Sequence, residues 1–180
     1  MIRYIAFLRG INVSGQKLIK MEELREEFVL PGFKNVRTYI QSGNVIFDTK
    51  ETGQALLTNK IENNLQKWLG YEVKTVLRTI DEIEGTVKHN PFKEVKLGGH
   101  IKQYVAFLPD EPANEMKDII LALNNDLEIL HFRGRDVYWL IQNPDNEKLK
   151  FTNVFIEKKL KMTATTRNWN TVNKMLEYKQ

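Results

Sequence analysis

The 180-residue chain contains no cysteine. That absence excludes disulfide staples, thiolate catalysis and Cys-ligated metal. Histidine is scarce as well: His89, His100 and His131 are scattered and form no HxH or HxxxH pair, so neither a metal site nor a metal cofactor is expected. Long hydrophobic runs are missing. At the N-terminus only Ile5 to Leu8 are consecutively apolar before Arg9, too few for a signal-peptide core or a membrane span. The expectation is a cytoplasmic protein with no membrane partner and no cofactor. Nor is charge of either sign concentrated. Lys and Arg exceed Asp and Glu by 13 to 11 up to Phe92 and by 14 to 12 from Lys93 onward. A nucleic-acid binder gathers its excess in a patch, so nucleic acid is not favoured as a partner. The densest basic run, "EKKLK" at 157–161, lies in an amphipathic stretch and reads as a solvated helix face.

With 42% hydrophobic and 28% charged residues, the chain is globular, one large domain or two small ones. It also repeats itself. "RYIAFL" at 3–8 returns as "QYVAFL" at 103–108, an offset of 100. Met21, Leu24 and Phe28, at helical spacing, match Met116, Ile119 and Leu123 at an offset of 95. Gly43 matches Gly134 at 91, and Arg78, Ile80, Ile83 and Val87 match Arg167, Trp169, Val172 and Leu176 at 89. Ordered matches with a steadily falling offset indicate two copies of one unit.

Each copy reads strand, helix, strand, strand, helix, strand, helix. Strands are expected near 2–8, 35–40, 44–48 and 72–77, then near 101–108, 127–132, 136–141 and 162–166. A helix over about 53–69 carries Leu57, Ile61, Leu65 and Trp68 on one face and stops at Gly70. "TIDE" at 79–82 is a capping box, with Thr79 as N-cap and Glu82 three residues on. The fold class is α+β: two ferredoxin-like βαββαβ modules in tandem, each with an extra C-terminal helix. The expected boundaries are 1–92, with an enlarged loop at 9–20, a linker at 93–99 within "NPFKEVKLGG", and 100–180. Tyr4, Ala6 and Leu8 alternate with Ile5 and Phe7, and "VYWLI" at 137–141 is apolar on both faces, so the sheets are covered on both sides. A partner sheet or a second subunit would cover the face opposite the helices, leaving monomer and homodimer both open. An open RNA-recognition sheet, with aromatics on an exposed face, does not fit.

The copies differ between first strand and first helix, where "RGINVSGQKLIK" stands against "PDEPANE". A loop enlarged in one copy is not needed to fold the module, and function concentrates in loops on a rigid scaffold. The strand order puts the end of the first strand beside the turn joining strands two and three. Arg9, Gly10 and Asn12 would then neighbour Gln41, Ser42 and Asn44 of "TYIQSGNVIF". Uncharged amides suit the edge of a polar ligand. They equally suit bracing of the turn and loop by backbone hydrogen bonds.

Other motifs carry less. "GINVSGQKL" faintly resembles a phosphate loop, but Lys17 is one residue late and Leu18 replaces the magnesium-binding hydroxyl. Gly10 and Gly15 still permit backbone amides to face an anion. Ser42 has no GxSxG context for a nucleophile, and no pair of carboxylates has acid/base spacing. In "TATTRNWNTVNKM" at 163–175, Asn168 suits a helix N-cap. Arg167 beside that helix start faces the positive end of the dipole and wants an anion; Arg78 at the equivalent place in copy one suggests a structural partner common to both modules.

"FLRGINVSGQ", "YIQSGNVIF", "NPF" and "TTRNWNTV" together resemble a widespread bacterial family, domain of unknown function 1697. The resemblance covers nearly the whole chain and implies a duplicated ferredoxin-like architecture. It brings no reaction, cofactor or catalytic residue. Three functional readings follow. The first is a binding protein for a small anionic or polar ligand, nucleotide-like molecules included, using Arg9, Gly10, Asn12, Gln41, Ser42 and Asn44, with Arg167 and Asn168 as further candidates. The second is an enzyme of unknown reaction in the same cleft. The third is a protein or nucleic-acid interaction module.

Overall fold

A stretch that is apolar at every position cannot line an open sheet, and Tyr4–Leu8 of the first strand is such a stretch. In the computed structural model, which describes residues 1–12 and 18–179, Tyr4 through Leu8 are all buried. The first sheet contains β1 (Ile2–Leu8), β2 (Lys34–Tyr39), β3 (Asn44–Thr49) and β4 (Thr75–Thr79), in the order β2-β3-β1-β4 and antiparallel throughout. The second contains β5 (Ile101–Phe107), β6 (Glu128–Arg133), β7 (Asp136–Gln142) and β8 (Thr165–Asn168), in the order β6-β7-β5-β8. The helices are α1 (Met21–Glu27), α2 (Gln54–Leu69), α3 (Ile80–Lys88), α4 (Asn114–Leu121), α5 (Asn153–Leu160) and α6 (Trp169–Met175), the last continued by a 3₁₀ turn at Leu176–Lys179. Each sheet and its helices form a ferredoxin-like module closed by an extra helix.

In the first module Tyr4, Ala6, Leu8, Val45 and Phe47 pack with Leu24 and Phe28 and with Leu57, Ile61 and Leu65 of α2. Phe47 stacks on Phe33 at 4.2 Å between centroids and on Tyr4 at 5.8 Å. The alternate residues Ile5, Phe7 and Ile46 are buried as well, so both faces are closed to water. The second module repeats this, with Ala106, Leu108, Val137, Trp139 and Ile141 packed on Ile120, Ile156 and Leu160. Lys158 and Lys159 stay exposed on α5, as the solvated-face reading of "EKKLK" requires.

Local signals translate directly. Glu82 N donates to Thr79 Oγ1 at 3.2 Å and Thr79 N to Glu82 Oε2 at 2.7 Å, a complete capping box. α2 ends at Gly70 in the left-handed conformation, φ 76°. Two expectations shift. Helix α4 turns Ile120 inward, fully buried, and leaves Ile119 51% exposed. The spacing that seats it is Met116, Ile120, Leu123, so Leu24 corresponds to Ile120. The fourth strands start at Thr75 and Thr165, three residues later than the apolar pattern implies. The reason is the same in both copies: a helix carboxylate captures the incoming backbone. Glu62 Oε1 accepts from Thr75 N at 2.8 Å and Glu157 Oε1 from Ala164 N at 2.9 Å.

By contact the chain divides into Met1–Ile83 with the C-terminal residues from Glu177, and Glu84–Leu176. That division lies inside α3. Asn90 is tied into the second unit: Gln103 Nε2 donates to Asn90 Oδ1 at 2.9 Å and Asn90 Nδ2 to Gln103 Oε1 at 3.3 Å. In the first unit Arg3 anchors the chain end by donating to the Tyr178 carbonyl. Among the described residues no helix is long and apolar enough to cross a membrane.

Arg3 also grips Asp48 with two bonds, Nε to Oδ1 at 2.7 Å and Nη2 to Oδ2 at 2.8 Å. Its hydrogen bond, with another from Asn35, holds the Asp48 carboxyl below the ordinary carboxylate value. A group depressed in the folded state contributes stability that is present above the unfolded value and lost as pH falls through the folded one. Wild type should exceed Asp48→Asn by about 1 kcal/mol at neutral pH, and the gap should close as denaturant melts are taken into acid. A gap independent of pH contradicts the pairing.

Candidate functional site

β1 leaves the first sheet beside the hairpin. Phe7 lies opposite Asn44, Leu8 N donates to Gly43 O at 2.9 Å, and Arg9 N donates to Lys74 O at 2.8 Å. Arg9 is thereby fixed between the 40–43 turn and the approach to β4. Ile40 and Gly43 both have positive φ, 46° and 76°. Gly43 is needed for a second reason. A Cβ there would meet Ile11 Cδ1 at 2.5 Å and Leu8 Cβ at 3.0 Å, because buried Ile11 packs onto the turn.

Asn12, at φ 53°, ties the same corner. Its Nδ2 donates to Gln41 O at 2.8 Å and to Ile19 O at 3.0 Å, and its Oδ1 accepts from Ile19 N at 2.6 Å. One side chain thus joins both ends of the enlarged loop to the hairpin. Asn44 is fully buried; its Nδ2 donates to Tyr39 O and to Ser42 Oγ, each at 3.0 Å. Both asparagines therefore brace backbone. Ser42 has its hydroxyl engaged by Asn44, while the Gln41 side chain is exposed. Gly10 is exposed with φ 70°. Gly15, Lys17 and most of the phosphate-loop-like stretch lie outside the described residues. Nearby Lys74 sits 3.5 Å from Glu62 and 3.3 Å from Glu72, and Glu62 first, then Glu72, raises its ammonium above the ordinary value.

Arg9, Gly10, Asn12, Gln41, Ser42 and Asn44 come together at this corner of the first unit. Arg167 and Asn168 belong to the second unit. Asn168 caps α6, its Oδ1 accepting from Thr171 N at 2.8 Å. Arg167 lies within β8 opposite Val105 and is 8% exposed. Its place in copy one is held by Arg78, opposite Ile5 and 1% exposed. Each guanidinium donates through Nη1 to the carbonyl just before it, Leu77 O or Thr166 O, at 2.9 Å. Burial pushes the Arg167 guanidinium down to about 9.

Two cavities of the structure involve side chains that the sequence did not single out. One of about 350 Å³ is lined by Tyr104, Trp169, Lys102 and the Gly98–Gly99 turn of the second unit. The other, about 470 Å³, lies in the first unit among Phe33, Leu56 and three lysines. No local motif marks either, because each collects residues from separate elements. Among the described residues there is no group of three or more His, Asp or Glu placed to hold a metal ion.

Comparison with known proteins agrees with this architecture. The profile described as "Protein of unknown function (DUF1697)" matches residues 1–138. A solved structure of a conserved bacterial protein from Streptococcus pneumoniae is 24% identical, covers 99% of each chain and superposes with a TM-score of 0.74. That likeness carries the fold alone. None of the curated proteins compared matches the chain.

Proposed function

The chain belongs to the DUF1697 family, and from its hairpin corner rather than from that family's name we propose that it binds a small anionic or polar ligand there. The observation supporting this is that the backbones of Arg9 and of exposed Gln41 are held at one corner by the Leu8–Gly43, Arg9–Lys74 and Asn12–Gln41 bonds. Preorganised donors lose little entropy when a ligand arrives. Arg9 supplies charge, the Gly10 backbone amide and the Gln41 and Ser42 side chains supply directed hydrogen bonds, and Asn12 and Asn44 hold the shape. Arg167 is buried and Asn168 is occupied as a cap, so this reading leaves both outside the site.

A thermal-shift screen with nucleotides, sugar phosphates and organic acids tests it, since a ligand that binds only the folded state raises the melting temperature. Turnover of a hit would assign the corner to an enzyme. Salt-sensitive oligonucleotide binding alone would assign an interaction module.

Arg9→Ala separates binding from folding. The second copy has Pro109 at this place and closes the corner differently, with Arg135 Nη1 donating to Pro109 O at 3.0 Å. The module folds without an arginine there. Arg9→Ala should therefore shift stability by only about 0.5 kcal/mol, while weakening an anionic hit by roughly 1.5–3 kcal/mol, the value of a charge-assisted hydrogen bond. Denaturant melts with ligand titration read both; an unfolded variant, or unchanged affinity, contradicts the assignment.

A further inference from the structure

At the opposite end of the first sheet, where β2 begins and β3 ends, the cavity of about 470 Å³ has an apolar floor of Phe33, Leu57 and Leu56. Leu56 is 66% exposed, unusual for a leucine beside a core. Lys34, Lys50 and Lys60 line the same cavity, with Glu51 as the acidic lining residue. Glu51 is committed to its own backbone: its Oε1 accepts from Thr52 N and Gly53 N, each at 2.9 Å. Lys60 is fixed, donating to the Pro31 carbonyl and lying 5.1 Å from the Phe33 ring centroid. The side chains of Lys34 and Lys50 make no ion pair or hydrogen bond among the described residues.

The second module closes the equivalent corner differently. There the strand-to-helix connection runs through residues 143–152 instead of 50–53. It inserts Phe151, 1% exposed, into the core, with the Phe151 amide held by Glu128 Oε2 at 3.1 Å at the start of β6. The first module has the shorter connection and supplies its ring from just before β2 instead: Phe33, 7% exposed and stacked on Phe47, with Lys34 beside it. Exposed Leu56 and the lysine rim are complemented by an apolar group that carries negative charge.

We infer that this corner of the first module binds a small organic carboxylate with an apolar body, the acyl chain or aryl ring lying over Phe33 and Leu56 and the carboxylate facing Lys34 and Lys50. The cavity has the size of ordinary small-molecule sites. Cation attraction at such an exposed rim is screened by salt, so affinity should fall as ionic strength rises.

The test is an amide-resolved NMR titration of the full chain with octanoate and with phenylbutyrate at low salt, with octanol as the neutral control. Both carboxylates should move the signals of Phe33, Lys34, Lys50 and Leu56 and bind about tenfold tighter than octanol. The Lys34→Ala/Lys50→Ala double variant should lose about tenfold in octanoate affinity, and Leu56→Gln should weaken it as well. All three positions are exposed, so circular dichroism should show the variants folded. The amides of Arg9, Gly10, Gln41 and Ser42 should stay unmoved by octanoate, which keeps this inference separable from the hairpin reading. Shifts confined to other residues, equal binding of octanol, indifference to the double variant, or no saturable shift at millimolar octanoate would each overturn it.

Discussion

Gly43→Ala is expected to lower the unfolding free energy by about 2–4 kcal/mol. Two costs combine. A side chain in the left-handed region costs roughly 1–2 kcal/mol, and here φ is 76°. The added methyl must also displace Ile11, whose Cδ1 and Cγ1 would lie 2.5 and 2.8 Å from it, and overpacking of this kind costs roughly 1–3 kcal/mol. The second copy supplies the control. Gly134 has φ 55° and nothing within 4 Å of an added Cβ, so Gly134→Ala should cost about 1 kcal/mol, the conformational part alone. Urea melts of the two variants measure the difference directly. Equal losses would mean that Ile11 does not seat on the turn, and the enlarged loop would then lack its anchor to the hairpin.

Arg78→Ala should cost about as much, roughly 2–5 kcal/mol, the range for truncating a large buried side chain. Arg78 heads the fully buried side chains by volume, so its loss opens a cavity and removes a donor from Leu77 O. Arg167→Ala should follow in the same direction, by more than 1 kcal/mol, because the two arginines hold the same register position and make the same bond in their own modules. Arg78→Met, which keeps most of the length of the stem, should recover part of the loss. If either alanine variant melts like wild type, the equivalence is an accident of sequence.

These arginines mark where reading from sequence stops. The duplication was legible because apolar period and offset are local quantities, and Tyr4–Leu8 and Val137–Ile141 carry them plainly. The hairpin corner was legible for the same reason: once strand order is known, Arg9 and Gln41 must meet. Burial of a charged side chain is not local. Arg167 carried two readings, a helix-start cation wanting an anion and a structural arginine shared with Arg78, and only the fold shows that it is a strand residue 8% exposed. Asn12 and Asn44 carried two readings, ligand contact and brace, and only the positions of Ile19, Tyr39 and Gln41 around them show the bracing bonds. Helix α4 was placed one residue out of phase because Ile119 and Ile120 are chemically identical neighbours. The lysine-rimmed corner joins residues 33–34, 50 and 56–60, and no spacing along the chain relates them.

The central claim is that the hairpin corner holds a ligand, and an amide-resolved NMR titration with the strongest hit from the nucleotide, sugar phosphate and organic acid panel tests it most directly. The account predicts saturable shifts at Arg9, Gly10, Gln41 and Ser42, abolished or strongly weakened in Arg9→Ala while that variant's spectrum stays folded. Saturable binding that leaves those amides unmoved, or that survives Arg9→Ala at full affinity, would contradict it.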